Sequence, residues 1–176
     1  MIIALFLSAL VRRSPLAMGF AAITSVLAAC SPSGELHDAA ASEAVTEAQL
    51  RAEVAQVAED MVAAVRARDP ARVVSFYDGA TFVHYENGAV ASWAELEPQM
   101  RNFIASASRL DLEWTEAPTV VLLAPDAALV YGVHRFEGVL QDGTVLPSHT
   151  GTWSGVLRRS GEAWKLVHSH SSEPGQ

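Results

Sequence analysis

The stretch that decides the fold of this 176-residue chain is "GTWSGVLRRSGEAWKLVHSHSS", residues 151–172. Apolar and polar residues alternate on both sides of Ser160-Gly161, which is typical of two strands joined by a tight turn. The second strand carries His168 and His170, which lie on the same side because strand side chains alternate between faces. The face on which these histidines lie decides whether the sheet holds a polar site there.

An earlier hairpin extends the predicted sheet. Residues 127–141 return through Asp142-Gly143, a strong turn signal, into residues 144–159. Turn length fixes the register of a hairpin. If both turns contain two residues, the predicted cross-strand pairs are Gly132 with Trp153, His134 with Gly151, Phe136 with His149, Gly151 with His170, Trp153 with His168, Gly155 with Leu166, and Leu157 with Trp164.

In this register one face of the three strands is largely apolar and is predicted to be buried. Its members are Val130, Gly132, His134, Phe136, His149, Gly151, Trp153, Gly155, Leu157, Trp164, Leu166, His168 and His170, so the face holds four of the six histidines. Gly151 lies between His134 and His170 in one row, and a glycine there leaves space above the sheet. The sequence therefore predicts the mouth of a cavity at this end.

Helices and short strands are predicted before the hairpins. Thr46 and Gln49 fit a capping box for a helix that runs to about Arg68, and Asp69-Pro70 begins a second, short helix. The remaining predicted elements are a strand over 81–85, a helix from Ser92 to about residue 106, and a strand over 110–114 that continues after Pro118. This order predicts one α+β domain over residues 46–172, followed by a tail over 173–176.

The N-terminus has the order of a secretory signal. Arg12-Arg13 precede an apolar run that ends on Leu27-Ala28-Ala29-Cys30. This ending resembles the lipobox of bacterial lipoproteins, which implies a signal peptide over 1–29 and lipidation of Cys30. The alternative is an uncleaved membrane anchor, which the two arginines disfavour. The apolar start before Arg12 leaves both Met1 and Val11 open as the first residue.

Residues 30–45 are small and polar and predict a flexible tether. Ser31 after the lipidated residue favours the periplasmic face of the outer membrane, within the bacterial cell envelope. The net charge of −8 argues against a nucleic-acid partner because the chain has no basic stripe. Cys30 is the only cysteine, so neither an intrachain disulfide nor a cysteine-based metal site is expected.

The element order resembles the SnoaL-like group of the nuclear transport factor 2-like fold. The residues that carry the resemblance are "ARDPARVVSFYDGATFVHYENG" at 67–88, "SWAEL" at 92–96 and the hairpin ending at 151–172. The resemblance implies a curved antiparallel sheet wrapped round N-terminal helices as an open cone with an internal pocket. It also implies that a homodimer through the outer sheet face is possible.

The resemblance leaves the activity open, since such proteins include isomerases, dehydratases, cyclases and many without a known reaction. Ketosteroid isomerases of this fold use an inward aspartate, whereas Asp111 here alternates outward. Scytalone dehydratases of the same fold act through paired histidines, which the predicted inner face resembles more.

The first functional hypothesis is a module that binds a small, partly apolar ligand. Aromatic side chains would form the pocket wall and histidines its polar contacts. The residues predicted to line this pocket are Trp93, Trp114, Phe136, His149, Gly151, Trp153 and His170.

The second hypothesis is an enzyme that uses inward histidines as acid and base. His168 and His134 are the predicted pair, with His84 as a third member that Tyr85 or Glu86 could assist. The simpler interpretation of each histidine is a side chain satisfied by backbone or water.

The third hypothesis is a metal site built on His168 and His170 together with His134 or His149. No inward carboxylate is evident from the pattern, and His-x-His alone is a weak signal. No cofactor is indicated.

Overall fold

The computed structural model describes residues 46–173, and the predicted signal peptide, Cys30 and the tether lie outside this range. In the described residues two helices precede the first strand, α1 (Glu47–Arg66) and α2 (Pro70–Ser75), and a third, α3 (Trp93–Ser106), lies between strands. The strands are β1 (Val83–Glu86), β2 (Ala89–Ser92), β3 (Ala107–Trp114), β4 (Thr119–Ala124), β5 (Ala127–Leu140), β6 (Val145–Ser160) and β7 (Ala163–Ser172). No helix in the described residues is long and apolar enough to span a membrane.

The helices begin where the sequence places caps. Thr46 and Gln49 form the capping box of α1, Asp69 accepts a hydrogen bond from the backbone N–H of Arg72 at the start of α2, and Ser92 and Glu95 cap α3. The apolar side of α1 packs against β3, β4 and β5. The core between helices and sheet includes Val54, Leu96, Ile104, Leu112 and Leu166.

The strands form one open, curved sheet in the order β2-β1-β7-β6-β5-β3, with β4 paired to another part of β5. The pairs are antiparallel except that β1 runs parallel to β7. The α+β class and the open curved sheet agree with the sequence prediction. Extra residues interrupt several ladders, and such bulges increase the bend and twist of a sheet.

The first hairpin keeps the predicted register through two departures that cancel. Leu140 N–H donates to Thr144 O, so three residues rather than two form the turn, and Gly143 adopts a φ of 87°. A bulge at Pro147 and Ser148 then restores the pairing, because proline offers no N–H to the ladder. The predicted pairs of Gly132, His134 and Phe136 on β5 are therefore confirmed.

The second hairpin does not keep the predicted register. Ser160 pairs with Ala163, so the turn residues are Gly161 and Glu162, and Gly161 takes the left-handed φ of 63°. This shifts β7 by two residues, which leaves Trp164 and Leu166 on the buried face. The predicted pairs of Gly155 with Leu166 and of Leu157 with Trp164 are wrong, because Leu157 lies opposite Leu166.

Val167 then reverses the face of the rest of β7. Val156 pairs with His168 and Leu157 with Leu166, so Val167 is an extra residue on this strand. One extra residue moves every later side chain to the opposite face. The predicted pairs of Trp153 with His168 and of Gly151 with His170 are therefore wrong, and Trp153 lies opposite Ser171 instead.

Candidate functional site

Two serines occupy the inner face where two histidines were predicted. Ser169 and Ser171 are 2% and 1% exposed, whereas His170 is exposed on the outer face. His168 also faces outward, with its ring centroid 5.5 Å from that of Tyr85. His168 and His170 therefore do not line an inner site, and they do not form the predicted metal site with His134.

The parallel strand β1 brings a histidine and a carboxylate next to these serines. His84 pairs with Ser169 and Glu86 with Ser171, and both β1 side chains are at most 3% exposed. The expectation that no carboxylate faces inward is therefore wrong. The inward position of Glu86 results from the parallel pairing of β1 with β7. The alternation within the hairpins gives no information on that pairing.

These four side chains form one buried polar chain. His84 Nδ1 lies 2.7 Å from Ser169 Oγ, and Ser171 Oγ donates to Glu86 Oε1 at 3.2 Å. His84 Nε2 and Glu86 Oε2 are 3.8 Å apart, which is longer than a hydrogen bond. Within residues 46–173 neither of these two atoms has a hydrogen-bond partner.

The protonation states of this pair follow from its environment. Burial lowers the pKa of His84 below its ordinary value, so the ring is neutral at pH 7. Burial by itself would raise the pKa of Glu86, but the neighbouring His84 ring and the Ser171 hydroxyl help to outweigh it. The pKa of Glu86 is lowered, so the carboxylate is ionised beside a neutral imidazole.

His134 lies on the inner face of β5 and is 1% exposed. Neither of its ring nitrogens has a hydrogen-bond partner in the described part of the chain. Burial lowers its pKa to about 4, so the ring is neutral over most of the physiological range. The indole nitrogen of Trp114, which pairs with His134 across β3 and β5, is also buried without a partner among these residues.

A second histidine and a second carboxylate lie beside His134. The His149 ring is perpendicular to that of His134 at a centroid distance of 6.0 Å. His149 Nε2 lies 3.0 Å from Glu173 Oε1, and the Glu173 side chain is only 6% exposed. We refer to His84, Glu86, His134, His149, Ser169, Ser171 and Glu173 as the inner polar cluster.

Aromatic rings pack over two glycines of β6, so these glycines do not leave open space. A Cβ on Gly151 would lie 2.8 Å from Cε1 of His134 and 3.0 Å from the Ser172 carbonyl oxygen. A Cβ on Gly155 would lie 2.4 Å from Cη2 of Trp153. Gly151 lies opposite His134 as predicted, but it does not pair with His170, and the His134 ring covers it.

The predicted aromatic wall divides into two groups. Trp114 and Trp153 lie 5.8 Å apart between ring centroids, and Phe136 lies 5.3 Å from the His149 ring, so these three border the inner polar cluster. Trp93, the first residue of α3, instead stacks on Tyr77, with the two ring centroids 4.7 Å apart. No group of three or more potential ligands in residues 46–173 has the geometry of a metal site.

Four members of the inner polar cluster were not predicted as primary site residues: Glu86, Ser169, Ser171 and Glu173. The Asn87-Gly88 dipeptide is a strong hairpin signal, and it does join β1 to β2 with positive φ at both residues. It would have extended the predicted strand to Glu86. No sequence signal marks the extra residue Val167.

Comparison with protein families now identifies the domain. The SnoaL-like domain family matches residues 54–176, which is most of the chain. The chain belongs to the SnoaL-like family. No curated protein sequence matches this SnoaL-like chain.

Solved structures confirm the fold of the SnoaL-like domain. A nuclear transport factor 2-like superfamily protein from Salmonella enterica serovar Typhimurium is 17% identical, with a TM-score of 0.64 over 74% of this chain and 95% of that one. A putative dehydratase from Streptomyces avermitilis is 17% identical, with a TM-score of 0.63 over 73% and 98%. A putative calcium/calmodulin-dependent protein kinase II association domain from Xanthomonas campestris is 24% identical, with a TM-score of 0.59 over 80% and 96%. At these identities the likeness establishes the fold alone.

Proposed function

We propose that the SnoaL-like domain binds a small organic molecule at the end of the sheet where His134 and Trp114 meet. The observation that carries the proposal is the His134 ring, which is buried with two unpartnered nitrogens within residues 46–173. A buried polar group without a partner costs about 1–3 kcal/mol. Such a cost is typical of a site whose hydrogen bonds are completed by a ligand.

The surroundings of His134 support a molecule that is partly apolar. Trp114, Trp153 and Phe136 offer aromatic surface, while the neutral imidazole offers one donor and one acceptor. The indole N–H of Trp114 adds a donor. A hydroxyl or carbonyl group on an aromatic or aliphatic body would match this combination.

The test replaces His134 by phenylalanine, which keeps a ring and removes both nitrogens. We expect His134→Phe to be more stable than the wild type by about 1 kcal/mol and to lose binding of 3-phenylpropan-1-ol and acetophenone. Thermal unfolding and ligand-observed NMR measure the two effects. His168→Phe, on the outer face, is the control for binding. A destabilised His134→Phe that binds the probes as the wild type does would contradict the proposal.

A second candidate is an enzyme that moves a proton, and it rests on the pair of His84 with Glu86. A neutral imidazole 3.8 Å from an ionised carboxylate can take a proton and return it. For acetophenone in D2O this predicts deuterium incorporation at the methyl carbon, accelerated by the protein and lost in His84→Gln. His168→Gln serves as the control. Incorporation at the rate of buffer alone would contradict this candidate.

We also propose that the domain is a lipoprotein of the cell envelope, anchored through Cys30. The support is the order Arg12-Arg13, apolar run and Leu27-Ala28-Ala29-Cys30. Cys30→Ser is expected to abolish detergent-dependent partition into the membrane fraction. A Cys30→Ser protein that still fractionates as a trimmed membrane species would contradict the anchor.

A further inference from the structure

The inner polar cluster contains two carboxylates, Glu86 and Glu173, and neither a lysine nor an arginine. Glu86 is buried, the side chain of Glu173 is 6% exposed, and each carboxylate lies against a histidine. None of the buried atoms without a partner in the described residues belongs to a lysine or arginine. Arg159 has the same strand alternation as the inner residues, but it lies at the far end of the β6–β7 hairpin. There it pairs with Glu53 at 3.2 Å.

The least satisfied of these carboxylate atoms is Glu86 Oε2. Its other oxygen, Oε1, accepts from Ser171, whereas Oε2 has only the His84 ring at 3.8 Å. The His84 ring is neutral at pH 7 because burial lowers its pKa. The pair therefore carries one net negative charge inside the domain, and a buried charge is costly unless a cation or strong donors match it.

An anionic ligand would add to the negative charge that is already buried here. It would lie near two carboxylates with no lysine or arginine in the cluster to offset its charge, and like charges in a buried site repel strongly. A protonated amine would instead form a charge-assisted hydrogen bond with Glu86 Oε2. Ligand charge is thus the property that this cluster can discriminate.

We propose that the inner polar cluster selects a small molecule that carries a protonated amine, with Glu86 as the residue that binds the ammonium group. The inference rests on the proposed binding function and adds the chemical class of the ligand. The aromatic body of the ligand lies against Trp153, which pairs with Ser171 on one side and Gly132 on the other. Trp153 therefore stands between Glu86 on β1 and His134 on β5.

The experiment compares three probes with the same phenyl body and different end groups. These are 3-phenylpropan-1-amine, 3-phenylpropan-1-ol and 3-phenylpropanoate, measured at pH 7.5 by NMR titration of the full-length protein. We expect the amine to bind about tenfold more tightly than the alcohol and the carboxylate to bind most weakly, because a charge-assisted bond contributes about 1.5 kcal/mol or more.

Glu86→Gln is the decisive variant, since it keeps the shape and removes the charge. It should reduce the preference for the amine over the alcohol to about twofold or less while alcohol binding persists. Glu113→Gln, an exposed change on the outer side of β3, is the matched control and should leave the order unchanged.

Four results would overturn the inference, and they are separable from failure of the binding function. Equal binding of the three probes, lost together in His134→Phe, would retain the site and remove its charge selectivity. Tightest binding of the carboxylate, or an amine preference that survives Glu86→Gln, would remove the assignment of Glu86. If none of the three probes binds, the amine selectivity is also rejected. The stability of His134→Phe then tests the binding site independently.

Discussion

The two halves of β7 use the same alternating pattern for opposite purposes. From Trp164 to Leu166 the inward residues are large, apolar and part of the core. From Ser169 to Ser171 they are small and polar and contact the buried side chains of β1. Val167 separates the halves as an extra residue in the ladder. Alternation therefore predicts which residues share a face only as far as the next bulge.

Deletion of Ser169 is the strongest way to break this difference. Whether the bulge at Val167 persists or is absorbed, a histidine then takes the place of Ser169 opposite Gly155, and the contact of Ser169 with His84 is lost. We expect a loss of about 4 kcal/mol or more in the free energy of unfolding, because a polar ring would be buried without a partner. Urea unfolding measures it. Deletion of Val167 removes only the extra residue and leaves Val156 opposite His168 and Leu157 opposite Leu166, so it should cost about 1 kcal/mol, and equal costs for both deletions would contradict the role of the bulge.

The pH dependence of stability tests the polar half. The pKa of His134 is about 4 in the folded protein, against about 6.5 in an unfolded chain. The unfolded state therefore binds more protons between these values. The stability that this pKa difference contributes is complete above pH 6.5. It is lost as the pH falls towards 4, by about 3 kcal/mol in total.

The His134→Phe variant isolates this contribution from that of His84, whose pKa is lowered in the same direction. The wild type should lose more stability than His134→Phe between pH 7 and pH 4.5 in chemical denaturation. The groups that face His134 are His149 and, through it, Glu173, and both remain in the variant. Parallel pH profiles for the two proteins would show that His134 is not buried in its neutral form.

Gly155 tests the apolar half. A Cβ there would lie 2.4 Å from the Trp153 ring and 2.7 Å from Leu166 Cδ1, so the core must shift. We expect Gly155→Ala to lower the free energy of unfolding by about 2 kcal/mol. Gly132→Ala, whose Cβ would lie 3.2 Å from the Trp114 ring, should cost less than half as much. A Gly155→Ala protein as stable as the wild type would contradict the packing of Trp153 over this glycine.

The outward histidines should give the smallest effects. His170 is exposed and His168 is partly exposed, so replacing either by alanine should change stability by no more than about 0.5 kcal/mol. Binding of 3-phenylpropan-1-ol should not change in either variant. A loss of binding would indicate that these residues lie on the inner face.

Most of the fold could be predicted from the sequence because its signals are local. The caps of Thr46, Asp69 and Ser92 mark helix starts, and the apolar alternation marks the long strands. The first hairpin was also predicted correctly, although only because its longer turn and its bulge offset each other.

The site could be predicted only in part because it depends on two non-local features. His134, Phe136 and His149 follow from the register of one hairpin, and Trp114 follows from the alternation within β3. The positions of Ser169 and Ser171 depend on Val167, which leaves no mark in the alternation, and Glu86 depends on the parallel contact of β1 with β7. Both features depend on pairing between residues that are far apart in the sequence, which no local pattern encodes.

The register of β6 and β7 is tested most directly by the pattern of cross-strand nuclear Overhauser effects between these strands in isotope-labelled protein. A bulge at Val167 predicts backbone proton contacts that pair Trp153 with Ser171 and Gly155 with Ser169. Contacts that pair Trp153 with His168 would contradict it. They would place both histidines on the inner face and remove the structural basis for the inner polar cluster.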